Sequence, residues 1–251
     1  MLKSEAHVFA LIPKDSHHAL IIRRGPSKKV GIFHWNIKND QVKLGQWLNG
    51  RVYEYFSDIS DDGKHWIYSA NQKGRGYTAI ARSPYLKALT LWDNVGGYGG
   101  GKFLSTNSFM LFDGRNGYQK FRNDNLKQED NDFVVGKDSV YYRRMIERGW
   151  NETSSNLDEL IFHKMISKSI TIEKKITREN YTETESYSII YPDDSISTQW
   201  NWCESINKNL YWSERGILYK SIKPKSMEDN NRTIQIHDFN EESFETIVAP
   251  Y

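Results

Sequence analysis

The sequence predicts an all-β protein built from short antiparallel sheets, and three observations carry that prediction. Residues 56–92, FSDISDDGKHWIYSANQKGRGYTAIARSPYLKALTLW, read as strand, tight turn, strand, tight turn, strand without help from the rest of the chain. Aromatic side chains are abundant, with 8 Trp, 15 Tyr and 11 Phe, and these suit a pleated, half-buried surface better than a helical bundle. The pattern of the first stretch also returns near residue 200, as an internal repeat would. A chain of 251 residues can bury its own core without a disulfide or metal, and residues 1–251 are expected to form a single domain.

Taken in order, alternation begins at residues 7–12, turns at 13–16, and resumes at 19–23 before Gly25-Pro26, which makes a hairpin. A third strand at 30–35, a turn at Asn39-Asp40 and a fourth strand at 41–47 follow, and residues 51–55 lead into the long stretch. There Asp61-Asp62-Gly63-Lys64 turns at Gly63, which can take a positive φ; Trp66-Ile67-Tyr68 is a strand, Gly74-Arg75-Gly76 a second turn, and 77–81 the next strand. Residues 95–102, VGGYGGGK, are too glycine-rich for a regular element. Strands at 109–112 and 118–121 flank Asp113-Gly114, and 123–132, without apolar periodicity, is expected as an exposed loop. Residues 133–135, the turn Gly136-Lys137-Asp138 and residues 139–144 read as a hairpin, and 151–158 as a loop. In LDELIFHKMI, 157–166, the apolar spacing suits a short helix, with a strand through 160–162 as the alternative. Strands are expected at 170–176, 185–191, 198–202, 209–214, 217–222 and 233–237, with 226–232 a polar loop. The tail, 239–251, carries several apolar side chains and is expected to dock.

The repeat is explicit at an offset of 144 residues, which brings Phe56 onto Trp200, Gly63 onto Asn207, Lys64 onto Lys208, Tyr68 onto Trp212 and Ser69 onto Ser213 without gaps. Turns spaced by about 40 to 55 residues, each followed by an aromatic-rich strand, are what propeller blades produce. The expected architecture is therefore a small or irregular β-propeller of about four or five blades, with a coincidental run of hairpins as the rival reading. Residues 58–64, DISDDGK, followed by Trp66-Ile67-Tyr68-Ser69, resemble the Ser-Pro-Asp-Gly-Lys turn and strand of WD40-like propeller repeats such as those of TolB-type proteins, with Asp61 where the usual Pro would stand. Residues 46–53, 82–89, Asp238-Phe239-Asn240 and Ala249-Pro250-Tyr251 are similar to a group of uncharacterised bacterial propeller-like proteins. That resemblance spans nearly the whole chain and implies a bacterial protein, with no assigned activity and no catalytic residues.

Charge and cysteine usage narrow the function. With 34 basic and 32 acidic residues, the chain lacks the excess that phosphate neutralisation requires, so nucleic acid is the least favoured partner, by way of a local basic face only. Cys203 is the sole cysteine, which excludes an intrachain disulfide and a Cys-rich zinc site and reads as a buried structural thiol. The N-terminal apolar runs are broken by Pro13, Asp15 and two histidines, so neither a signal peptide nor a membrane span is expected. A cytoplasmic protein follows, and the sequons at Asn151, Asn180 and Asn231 carry no weight.

Residues 96–102 fit the G-x-x-x-x-G-K pattern of phosphate loops, but Phe103 stands where a Ser or Thr hydroxyl is needed, and an inter-strand loop is the simpler reading. His17 and His18 would face opposite sides of a strand, and His7, His34, His65, His163 and His237 are scattered singly, so no metal is expected. Asp58, Asp61 and Asp62 lack the glycine and distal glutamate of a calcium loop and read as a solvated acidic turn. No G-x-S-x-G elbow occurs and nothing orders Ser, His and Asp into a triad, so neither catalysis nor a cofactor is expected. Arg75, Tyr77, Arg82, Tyr85, Trp92 and Tyr98 gather aromatic and guanidinium groups around two turns and the glycine loop, the chemistry of recognition hot spots; a packed core with snorkelling arginines competes with that reading. The expected function is a non-catalytic scaffold that recognises another protein. The alternative is a propeller enzyme or a carbohydrate- or small-molecule-binding protein using a central channel lined by aromatics such as Tyr77 and Trp92. Carboxylates or histidines converging in a cleft would favour the alternative, a flat aromatic and arginine patch the scaffold.

Overall fold

Period-two patterning punctuated by turn residues yields five sheets among the described residues of a computed structural model, which are 5–25, 27–93, 99–112, 118–120, 124–129, 137–179, 182–224 and 233–251. The first sheet is a meander of β1 (His7–Leu11), β2 (His18–Arg24), β3 (Lys29–Asn36) and β4 (Gln41–Asn49). The second is a meander of β5 (Arg51–Ile59), β6 (His65–Gln72), β7 (Arg75–Arg82) and β8 (Ala88–Asp93). A small third sheet begins with β9 (Gly101–Phe103) and β10 (Ser108–Leu111); β11 (Tyr118–Lys120) joins the second sheet beside β8, and β12 (Lys127–Gln128) runs parallel to β10. After helix α1 (Lys137–Glu147), the fourth sheet is a meander of β13 (Asn151–Ser155), β14 (Glu159–Ser167), β15 (Ile170–Glu179), β16 (Thr182–Ile190) and β17 (Ser195–Ser197). The fifth is a meander of β18 (Trp202–Ile206), β19 (Asn209–Glu214), β20 (Ile217–Ser221) and β21 (Thr233–Asp238). Each sheet is open, and the fold is all-β with one short helix among the described residues.

The chain divides into two compact units, one containing Phe9–Arg144 and Glu242–Tyr251, the other Glu5–Val8 and Met145–Glu241. In the first, alternation buries Ile67, Ile80, Leu89, Trp92, Phe103, Phe109 and Leu111 in one cluster. Glycine is required where backbones approach closely there: Gly100 has φ +102°, and a Cβ would lie 2.2 Å from the Phe56 carbonyl oxygen. Its N–H donates to Thr78 Oγ1 (2.7 Å) and Asp58 accepts from the Phe103 N–H (3.0 Å), which ties β9 to the second sheet. Arg144 lies over the rings of Phe9 and Tyr141, at 5.6 and 5.3 Å, and donates to the Ser57 carbonyl, so a buried guanidinium is satisfied at both its face and its edge.

In the second unit the inward faces of β14 and β15 meet as Leu160 opposite Ile176. Lys174 of β15 is fully buried, with Nζ donating to Glu185 (2.7 Å) and to the Tyr187 hydroxyl (2.8 Å). Glu204 accepts from Trp150 Nε1 (3.2 Å) and pairs with Lys164, while burial pushes the neighbouring Cys203 thiol up.

The two halves of the repeat occupy like places. β6 and β19 are each the second strand of a meander, Gly63 and Asn207 both take positive φ (75° and 52°), and Ser69 and Ser213 are both fully buried. Ser213 Oγ donates to the Val8 carbonyl at 2.7 Å.

Several expectations need correction. Residues 139–144 are helical, within α1, because Val140, Tyr141, Arg144 and Met145 bury one helical face; the preceding 130–136 lie outside the described residues. In place of the helix expected over 157–166, residues 159–167 are strand β14, since β15 pairs antiparallel with all of them except Ile166, where the register shifts. Residues 151–155 are the exposed edge strand β13, and 198–201 precede rather than form β18. The loop expected at 123–132 contains β12 and, in Asp124, a side chain only 8% exposed.

Gly63→Ala is expected to lower stability by about 1–3 kcal/mol, because its φ is +75° and the new Cβ would lie 2.5 Å from the His18 carbonyl oxygen. Asn207→Gly, at the equivalent turn, is expected to change stability by less than about 1 kcal/mol. Urea denaturation midpoints of the two variants test the contrast.

Candidate functional site

Within the first unit, the turn between β5 and β6 is built by its own side chains. Ser60 Oγ donates to Asp62 (2.8 Å) and accepts from the His65 N–H (3.0 Å), and Asp62 accepts from the Lys64 N–H (3.1 Å). These contacts, together with the Lys64 ammonium (3.2 Å), hold the Asp62 carboxyl below its ordinary value against the opposing effect of burial. The turn also anchors its neighbours, since the Asp15 N–H donates to the Asp61 carbonyl (2.9 Å) and Ser83 N–H to the Lys64 carbonyl (2.8 Å).

His65 and Arg82 face each other across β6 and β7. Together they grip Asp124. Arg82 donates through Nε (2.6 Å) and a terminal nitrogen (2.7 Å), while His65 Nε2 lies 2.9 Å from the same carboxylate. The Arg82 hydrogen bonds, helped by His65, hold Asp124 at about 2 although burial acts the other way, and the same pairing raises Arg82. A bidentate Arg–carboxylate pair with a histidine on one oxygen keeps the Asp124 carboxylate ionised and fixes its orientation.

Tyr85 is placed by the aromatic strand beneath it. Trp66 Nε1 donates to the Tyr85 carbonyl (2.7 Å) and the Tyr68 hydroxyl to the Leu86 carbonyl (2.8 Å), while Gln46 accepts from the Leu86 N–H (2.6 Å) and donates to the Ile247 carbonyl (2.7 Å). Through Gln46 the tail docks as expected, and Tyr251 completes the wall. Its hydroxyl accepts from the Arg82 N–H (3.1 Å) and donates to the Lys87 carbonyl (2.7 Å), and its ring lies under the Arg82 guanidinium (4.8 Å) and edge-on to Tyr85 (6.0 Å, 73°). Burial raises the Tyr251 hydroxyl.

On the other side, His18 at the start of β2 and His34 of β3 share one face of the first sheet, because His18 pairs with Asn36 and Leu20 with His34. Their rings stack at 5.0 Å and 29°, with His18 Nδ1 2.8 Å from His34 Nε2. Burial, then His18 and Lys43, holds His34 below its ordinary value. All these groups line one cleft of about 560 Å³: His18, His34, Asp62, Gly63, Lys64, His65, Arg82, Ser83, Tyr85, Asp124, Pro250 and Tyr251. Its volume falls in the range of small-molecule and peptide-residue sites. Among the described residues no group of three or more His, Cys, Asp or Glu is arranged to hold a metal.

The structure divides the six residues that the sequence singled out. Arg82 and Tyr85 line the cleft. Arg75, at the opposite end of β7 and exposed, makes a bidentate pair with Asp93 (2.8 Å on each oxygen). Tyr77 is half-buried against Tyr68 (6.2 Å), Trp92 is in the core against Phe109 (5.8 Å), and Tyr98 lies outside the described residues. Lys102 of the phosphate-loop pattern sits buried in β9 and donates to the Phe103 carbonyl (3.2 Å), a strand where a helix N-terminus would be required. Sequence reasoning missed Asp124, Lys64, Tyr251 and the His18–His34 pair. The only usable signal was the rule that His17 and His18 point to opposite faces, which leaves His18 free to meet a histidine of the next strand.

No family model matches the chain, and no curated protein matches it. Among solved structures, an uncharacterized protein of Listeria monocytogenes EGD-e is similar at 10% identity over 95% of this chain and 85% of that one, with a TM-score of 0.34. An acylaminoacyl peptidase in complex with Z-Gly-Gly-Phe-chloromethyl ketone is similar at 11% identity over 93% of this chain and 38% of its own, with a TM-score of 0.31. Likenesses this distant carry no argument about activity.

Asp124 titrates at about 2 when folded against an ordinary 3.8, so the unfolded chain takes up its proton first as the pH falls. The pairing is expected to contribute on the order of 2 kcal/mol above about pH 4 and to lose it towards pH 2. Urea unfolding between pH 5 and 2.5 should show wild type losing that extra stability relative to Asp124→Asn, whose acid limb is flatter.

Proposed function

We propose that the chain is a non-catalytic recognition protein that binds another protein through this cleft, inside a bacterial cell. The observation that carries the reading is the pairing of both lining carboxylates: Asp124 is held by Arg82 and His65, and Asp62 by Lys64 and Ser60. Histidines and carboxylates converge, yet each carboxylate is ion-paired. What remains for a ligand is a wall of Tyr85, Tyr251 and Arg82 beside the exposed Lys64 ammonium, the side-chain types that dominate binding energy at protein interfaces. Four of the five sheets are consecutive meanders, and β6 and β19 match in position, which supports reading the sheets as blades of a small irregular propeller. Among the described residues no helix is long and apolar enough to cross a membrane.

The concavity of the cleft favours a second reading, in which it takes a small polar molecule and no protein. Photo-crosslinking separates the two. A benzophenone amino acid in place of Tyr85 is expected to capture a defined protein in lysate of the source organism, and the same group in place of the exposed Met165 is not. Lys64→Glu should cut that capture at least tenfold. Equal capture from both positions, or none from position 85, would overturn protein recognition through the cleft, and a thermal upshift with a metabolite fraction would then favour the small ligand.

A further inference from the structure

We infer that His18 and His34 form a two-imidazole site for a divalent transition-metal ion, Cu2+ above all. The site does not rest on the recognition reading. Two same-face positions diagonal across β2 and β3 bring His18 Nδ1 and His34 Nε2 to 2.8 Å, and the strand ladder fixes that approach before any ligand arrives. Imidazole nitrogen is a ligand for Cu2+, Ni2+ and Zn2+ alike, and the affinity order of the divalent first-row ions puts Cu2+ highest.

In the metal-free pair one contact nitrogen donates its proton to the other. With that proton on the second nitrogen of the same ring, both contact nitrogens present lone pairs to an ion. The charged groups around the pair are Lys43, opposite His34 on β4, and Lys64 and Asp62, which engage each other on the cleft wall. The two lysines lower the affinity without removing a ligand. With no third side-chain ligand among the described residues, the remaining positions belong to water or to a donor group of whatever occupies the cleft.

The test is titration of the full chain with Cu2+ at pH 7.5, followed by calorimetry and electron paramagnetic resonance. One equivalent is expected to bind at this site, with hyperfine structure from two imidazole nitrogens. His18→Gln and His34→Gln should each weaken it at least tenfold, and His17→Gln should not. Ni2+ should bind in the same place and be lost in the same variants. The resonance of the wild-type protein is informative even if a variant fails to fold. A spectrum without two coordinated imidazoles, or a folded His18→Gln/His34→Gln double variant that binds Cu2+ as wild type does, would overturn the assignment.

Discussion

One carboxylate organises the first unit's cleft. Asp124 comes from a segment 42 residues beyond Arg82 and 59 beyond His65, and it is drawn in because those two side chains stand directly opposite each other on adjacent strands. A neutral side chain there would leave a guanidinium and an imidazole side by side with no counter-charge. With the carboxylate present, Arg82 is fixed firmly enough to support the Tyr251 ring, and Tyr251 in turn caps the Arg82 main chain. Bidentate geometry accounts for the rigidity, since rotation of either partner breaks two bonds at once.

The same logic explains why the cleft reads as a surface for binding. Formal charges on its wall cancel in pairs, so its character comes from ring faces, hydrogen-bonding edges and the exposed Lys64 ammonium. The aromatic surplus has mostly gone elsewhere. Trp66 and Tyr68 stack beneath the site at 4.2 Å and spend their polar atoms on the carbonyls that position Tyr85 and Leu86. They act through placement, which is the usual way a buried Trp or Tyr shapes a site it does not touch.

How far the sequence could be read follows from the range of each interaction. The turns at Gly63 and Asn207 were legible because positive φ is a local demand met by a local residue, and the meanders followed from turns and alternation. Residues 139–144 were not, since six residues of mixed apolar and basic character satisfy strand and helix alike until a buried face chooses between them. Residues 157–166 failed in the opposite sense: helical spacing was present, but eight of the nine residues 159–167 have a paired neighbour in β15. Asp124 and the His18–His34 pair were invisible because their partners are distant in sequence, and no composition rule brings them together. Arg82 and Tyr85 were reachable because an arginine beside a turn and an aromatic two or three residues on is itself a local pattern.

The chain path has a kinetic consequence. The tail from Glu242 belongs to the first unit, although Met145–Glu241 forms the second. During synthesis, the first unit's strands leave the ribosome about 5–20 s before the segment that finishes them, at ordinary elongation rates. Until then the Arg82 and Tyr85 surface lacks Tyr251 and stands open. The second unit has that interval in which to fold, and the first can mature only as translation of the tail is completed. The cleft is thus completed only once the intervening sequence has been made.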